Sequence, residues 1–220
     1  MRYLKTFTLF GAAIFIMTGC SSQSPEEQMY EHMEEAVSLE EEFRQQQDPL
    51  QELEQEEEEI YNQIIEMDSE EMEDIQELSS EAASIVEERK ERIDTEKESI
   101  DEAKEEFDEV ESLISDLEEE EAKEQADELV DVMNNRHDSY QTLYEAYQRA
   151  LDLDSELYEM MQEEDLTKDE LQGKVDEINE SYNEVIEANE VFNEYTTEYN
   201  DGKKEFYDAA DLDVNYEDAE

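Results

Sequence analysis

The chain is poor in residues that interrupt or cross-link secondary structure. Its 220 residues include one cysteine, two prolines, four glycines and no tryptophan. A lone cysteine has no partner for an internal disulfide, so no covalent staple shapes the fold. Pro25 and Pro49 are the only prolines, and no glycine lies between Gly19 and Gly173. Long stretches without either breaker, rich in Glu, Gln, Ala, Leu and Met, have a helical composition. Strand-forming residues are too sparse for a sheet. Cations are scarce as well: 15 lysines and arginines face 72 acidic residues, a formal charge of −57. Such a chain repels nucleic acid and, at low salt, itself. Low hydropathy with high net charge also describes disordered chains. Regular apolar spacing, set out below, argues against disorder here.

The one strongly apolar run is at the N-terminus. Arg2 and Lys5 precede Phe7 to Met17, and Thr18-Gly19-Cys20-Ser21-Ser22 follows. Two cations, a short apolar core and small residues make a secretory signal. The core is too short for a span, which needs about 20 residues. Met17-Thr18-Gly19-Cys20 resembles the bacterial lipoprotein box. That resemblance implies cleavage after Gly19 and transfer of a diacylglycerol to the Cys20 sulfur, with acyl chains such as palmitate holding the protein on a membrane. Two or more acyl chains anchor a protein far better than one. Met17 stands where leucine is more usual. Removing residues 1–19 takes Arg2 and Lys5 with it and deepens the negative charge by two. Residues 20–25 then form the lipidated cysteine and a short polar tether. The expected address is the extracytoplasmic face of the cell membrane.

The expected fold is all-α: an up-and-down bundle of long antiparallel helices over 26–208, followed by an acidic tail over 209–220. Asp48-Pro49 predicts a kink or short break. Ser69 reads as a cap with Met72 opening the next apolar row. Thr167 and Glu170 form a capping box. Asn200-Asp201-Gly202 reads as a stop. Between these points apolar residues recur in steps of three and four. One row runs through Ala82, Ile85, Arg89, Ile93, Glu96 and Ile100, another through Leu129, Met133, Tyr140, Tyr144 and Tyr147. A third runs through Val175, Ile178, Tyr182, Val185, Asn189 and Phe192. This is the spacing of left-handed packed helices. The unbroken span after Ser69 is too long for one helix beside its neighbours. A turn near residues 116–122 divides it, with Asn134-Asn135 as the rival site. Four helices of about 40 residues, each about 60 Å long, result. A three-helix bundle with an overhanging helix is the alternative.

Polar residues on the apolar rows are the candidate sites. Arg89, Glu96 and Asn189 read first as register control, since a polar residue in a seam penalises slipped pairings. Arg89, Lys90, Arg92 and Lys97 cluster on one helix. They are expected to pair with glutamates of neighbouring helices, or else to form a patch for a small anion or wall polymer. Tyr140, Tyr144 and Tyr147 on one stripe suit core packing with hydroxyls at the rim, with sugar stacking as the functional alternative. His32 and His137 are far apart and belong to no metal-ligand motif. The Glu-x-x-His element of di-metal bundles is missing, so no metal centre or cofactor is expected beyond weak divalent-cation binding. No nucleophile–base set, phosphate loop or dinucleotide motif is present, so no catalytic residues and no enzyme activity are expected.

A lipoprotein box, a serine-rich tether and a body of Glu-rich helices together resemble the cell-wall binding lipoprotein family, the YkyA-like proteins of Gram-positive bacteria. The resemblance covers nearly the whole mature chain, with Cys20 as its residue-level motif. It implies a long helical bundle associated with the cell wall, and it carries over no catalytic residue. The expected partners are therefore a membrane through the lipid and a wall polymer or envelope protein, with no nucleic acid. A tethered scaffold for a protein partner or for self-association is the competing class. An acidic cation-buffering or ligand-delivery lipoprotein is a third, and would need inward-facing clustered carboxylates.

Overall fold

The computed structural model of the protein describes residues 23–214. Helices α1 (Pro25–Leu39), α2 (Glu41–Glu66), α3 (Met72–Leu113), α4 (Glu120–Met160) and α5 (Lys168–Ala209) follow one another, with single 3₁₀ turns before and after α3. No strand occurs among the described residues. Because α1 and α2 continue one another across Glu40, the architecture is the expected up-and-down arrangement of four long helices.

Cross-helix pairs establish the antiparallel order, because one partner's number falls as the other's rises. Between α3 and α4 the pairs are Asp101–His137, Asp94–Tyr144 and Lys90–Asp152. Between α4 and α5 they are Arg136–Thr196, Arg149–Glu184 and Glu156–Lys174.

The helix termini follow local chemistry. Ser24 caps α1: its hydroxyl accepts from the Glu27 N–H, and the Glu27 carboxylate accepts from the Ser24 N–H. Pro25 occupies the first turn, where a missing N–H costs nothing. Thr167 and Glu170 form the expected reciprocal box before α5. At the start of the α3 segment the cap differs from expectation. The Asp68 N–H donates to the Glu71 carboxylate and the Glu71 N–H to the Asp68 carbonyl, so the capping position falls one residue before Ser69. The connection between α3 and α4 is at residues 117–119, within the expected window, and residues 118–121 are exposed. Asn134-Asn135 lies inside α4.

Neither Asp48-Pro49 nor Asn200-Asp201-Gly202 ends a helix. Pro49 lies within α2, and the interruption is nine residues earlier, at Glu40. The cause is tertiary. The Ser99 hydroxyl of α3 donates to the Leu39 carbonyl at 2.6 Å and accepts from the Phe43 N–H at 3.1 Å. Those are the two backbone groups that an unbroken helix would join directly, and a side chain inserted there bends the helix. Gly202 does not end α5 either, which runs on to Ala209. A Cβ at Gly202 would come within 3.1 Å of Leu129 Cδ1. Glycine there serves close helix packing, and burial of Phe206 and Tyr207 beyond it carries the helix forward.

The described residues form two compact units. One takes residues up to Arg44, then Glu98–Tyr140 and the chain from Glu190. Its core holds Met29, Met33, Phe107, Leu129, Met133 and Phe206. The other takes Gln45–Lys97 and Gln141–Asn189, with Leu53, Ile60, Val86, Ile93, Leu151 and Met161 in its core.

Candidate functional site

Each unit buries one guanidinium. In the first, Arg136 of α4 is 1% exposed. Its Nη1 and Nη2 donate to the two carboxylate oxygens of Glu40 at 2.6 and 3.0 Å, the fork-to-fork pairing that arginine alone can make. Its Nε donates to Thr196 Oγ1 at 3.0 Å, and that hydroxyl donates in turn to the Phe192 carbonyl. The rings of Phe192 and Tyr199 lie 5.0 and 5.7 Å from the guanidinium carbon. One cation and one carboxylate are balanced here.

The second unit is not balanced. Arg89 of α3, 2% exposed, meets carboxylates and phenols from the other three helices. Nη1 donates to Glu57 Oε2 at 2.5 Å and stands 3.6 Å from Asp154 Oδ2. Nη2 donates to Glu54 at 3.2 Å, to the Tyr147 hydroxyl at 2.9 Å and to the Tyr182 hydroxyl at 3.0 Å. The Tyr147 hydroxyl donates onward to Glu54, and that of Tyr182 to Asp154 at 2.5 Å. Glu57 and Asp154 are buried, while the Glu54 side chain is 33% exposed. Three carboxylates therefore surround one cation.

Burial raises Glu57 above the usual carboxylate range, and the Arg89 charge recovers only part of that shift. Asp154 is pushed up to about 7, first by burial and then by the neighbouring Glu57 charge. The phenols of Tyr147, Tyr158 and Tyr182 are raised by burial and stay protonated as donors. This arrangement can fix helix register and hold a proton. Among the described residues no group of three or more His, Cys, Asp or Glu is placed to hold a metal ion.

The other residues singled out from the sequence have various positions. Lys90 pairs with Glu87 and Asp152, and Arg92 with Glu88 and Gln46. Lys97 lies over the Tyr144 ring at 5.6 Å. The four cations thus share a helix, but Arg89 faces inward and the others are half-buried against neighbours. Tyr140 is buried in the first unit against Phe43 and Phe192. The Tyr144 hydroxyl donates to Asp94, and Tyr147 belongs to the Arg89 cluster. The three tyrosines therefore have three different sets of neighbours. Glu96 is buried and accepts from Gln47 at 2.5 Å. His32 bonds Glu106 and His137 bonds Asp101. Gly19 and Cys20 lie outside the described residues.

Glu40, Glu57, Arg136 and Asp154 were not among the sequence candidates. The signal existed in the spacing. Arg136 fills the gap in Leu129–Met133–Tyr140, Asp154 follows Leu151 by three, and Glu57 stands between Leu53 and Ile60 in the same three-and-four rhythm.

A family model described as "Putative cell-wall binding lipoprotein" and named YkyA matches residues 24–209. The chain is 33% identical over 201 residues to the uncharacterized lipoprotein YkyA of Bacillus subtilis (strain 168), covering 91% of this chain and 90% of that one. A crystal structure of a conserved protein of unknown function from Staphylococcus aureus shares the fold, with a TM-score of 0.57 over 86% of this chain and 98% of that one, at 12% identity. A match across nearly the whole helical body, together with a relative of equal extent at this identity, places the chain in the YkyA family of lipoproteins.

Proposed function

We propose that the protein is a non-catalytic, lipid-anchored bundle on the extracytoplasmic face of the cell membrane that associates with the cell wall. The observation that carries this reading is family membership across residues 24–209, downstream of a Met17-Thr18-Gly19-Cys20 sequence that resembles a lipoprotein box. Buried polar groups such as Arg89, Glu57, Arg136 and Glu40 pair with one another across the helices, which supports a structural body with no reaction centre.

Charge decides how such a body meets a wall. Walls carrying anionic polymers repel a chain at −57. A basic patch over Arg89 to Lys97 was one route to attraction, but Arg89 is buried and Lys90 and Arg92 already have carboxylate partners. That favours the other route, in which divalent cations bridge surface carboxylates to the wall. The competing scaffold class would be supported by an unburied apolar strip. Among the described residues, the large apolar side chains left exposed are Ile65 and Val191, one in each unit. The ion-buffering class would use inward carboxylates, and those of Glu57 and Asp154 already surround a guanidinium.

Crosslinking in intact cells tests the proposal. The native protein should carry acyl label, remain with membranes after the wall is digested, and crosslink to wall polymer beforehand. The Cys20→Ser variant should lose the label and the membrane retention. Recovery of crosslinks to one envelope protein, with none to wall, would replace the proposal with the scaffold reading.

A further inference from the structure

The Arg89 cluster has more acid than base in a place water barely reaches. Every helix packed there contributes: Glu54 and Glu57 from α2, Arg89 from α3, Tyr147, Asp154 and Tyr158 from α4, and Tyr182 from α5. Arg89 supplies the single positive charge. Glu57 takes its closest contact, at 2.5 Å, while Asp154 stands 3.6 Å from the same nitrogen. Two buried carboxylates that share one cation oppose each other's ionisation. The first unit contains the contrasting case, one carboxylate bound by one guanidinium through two hydrogen bonds.

We propose that Glu57 and Asp154 hold one proton between them, and that losing it loosens the second unit, making that part of the bundle a pH-responsive element. Asp154 is the residue that carries the proton. It has the longer contact to Arg89, and the Tyr182 hydroxyl needs only one of its oxygens as acceptor. That leaves the other oxygen free to be protonated. Asp154 in the folded protein sits near 7, against an ordinary value of 3.8. Between those values the folded state holds a proton that the unfolded chain has lost. Stability therefore falls as pH rises through that window, and protonation restores it. The unfolding equilibrium constant should change by up to about tenfold per pH unit there. About a unit above pH 7 the second carboxylate charge is nearly fully present, and Arg89 is the one cation that faces it. A protein outside the cell membrane is exposed to whatever acidity the wall space has, so this response depends on location.

Thermal melts of the full-length chain in detergent, from about pH 5 to about pH 9 in high salt to screen surface carboxylates, test the proposal. The native protein should melt lower at each step through pH 7 and level off by about pH 8. Asp154→Asn should flatten that slope and melt above the native protein at alkaline pH. A variant slope parallel to the native one would overturn the proposal. Glu57→Gln gives a second arm should Asp154→Asn not fold. With the competing carboxylate gone, the step should move to lower pH, and a step that stays in place would also overturn it.

Discussion

A guanidinium buried with its carboxylate partners is asymmetric in its energetics: replacing the whole pair with apolar groups costs little, but removing one member leaves a charge stranded. Arg136→Met would leave Glu40, which is 3% exposed, without its two donors. We expect a loss of about 3–5 kcal/mol in urea denaturation. Arg89→Met should be at least as damaging at neutral pH and less so in acid, where the stranded Glu57 and Asp154 can both take protons. Comparing the variant's stability near pH 5 and near pH 8 checks that sign. Sequence reading reached Arg89 because it interrupts an apolar row. It missed Glu57 and Asp154, although they keep the same rhythm, because acidic residues are so common here that a buried one cannot be told from its solvated neighbours by type. Only the facing cation distinguishes them, and that cation lies on another helix.

Helix interiors and ends offer simpler tests. Gly173 is exposed within α5, and a Cβ added there would meet nothing within 4 Å. Gly173→Ala should stabilise by about 0.5–1 kcal/mol from helix propensity alone. Thr167→Ala should cost about 1 kcal/mol by removing the cap of α5. Ser99→Ala takes away the hydroxyl lodged between the Leu39 carbonyl and the Phe43 N–H, and should cost about 1–3 kcal/mol where those groups are left unpaired. Denaturant midpoints of the three variants against the native protein check all of these. The capping box at Thr167 was legible because its chemistry is local, and the turn before α4 because the unbroken span after Ser69 is too long for one helix beside its neighbours. The break at Glu40 was not, because it is made by a serine 59 positions along the chain. Pro49 and Gly202 do not end their helices for the complementary reason: apolar residues beyond them, such as Leu50 and Phe206, are buried.

For the whole chain, charge of one sign dominates. Among the described residues most cations are committed to specific carboxylates, such as Arg44 to Glu41, Lys104 to Asp108 and Lys203 to Glu34. The remaining acidic surface must be hydrated and screened. The Debye length falls from about 30 Å at 0.01 M salt to about 10 Å at 0.1 M, so melting temperature should rise with salt over that range. A salt-independent melt would remove self-repulsion as a factor in stability. The same charge sets the terms of wall contact. The most direct measurement is co-sedimentation of the Cys20→Ser protein with purified cell wall, as calcium is raised at constant ionic strength and then removed with chelator. Bridging by divalent cations predicts binding that saturates with calcium and is lost on chelation, while sodium at equal ionic strength gives none. Binding that is indifferent to calcium and chelator would contradict it.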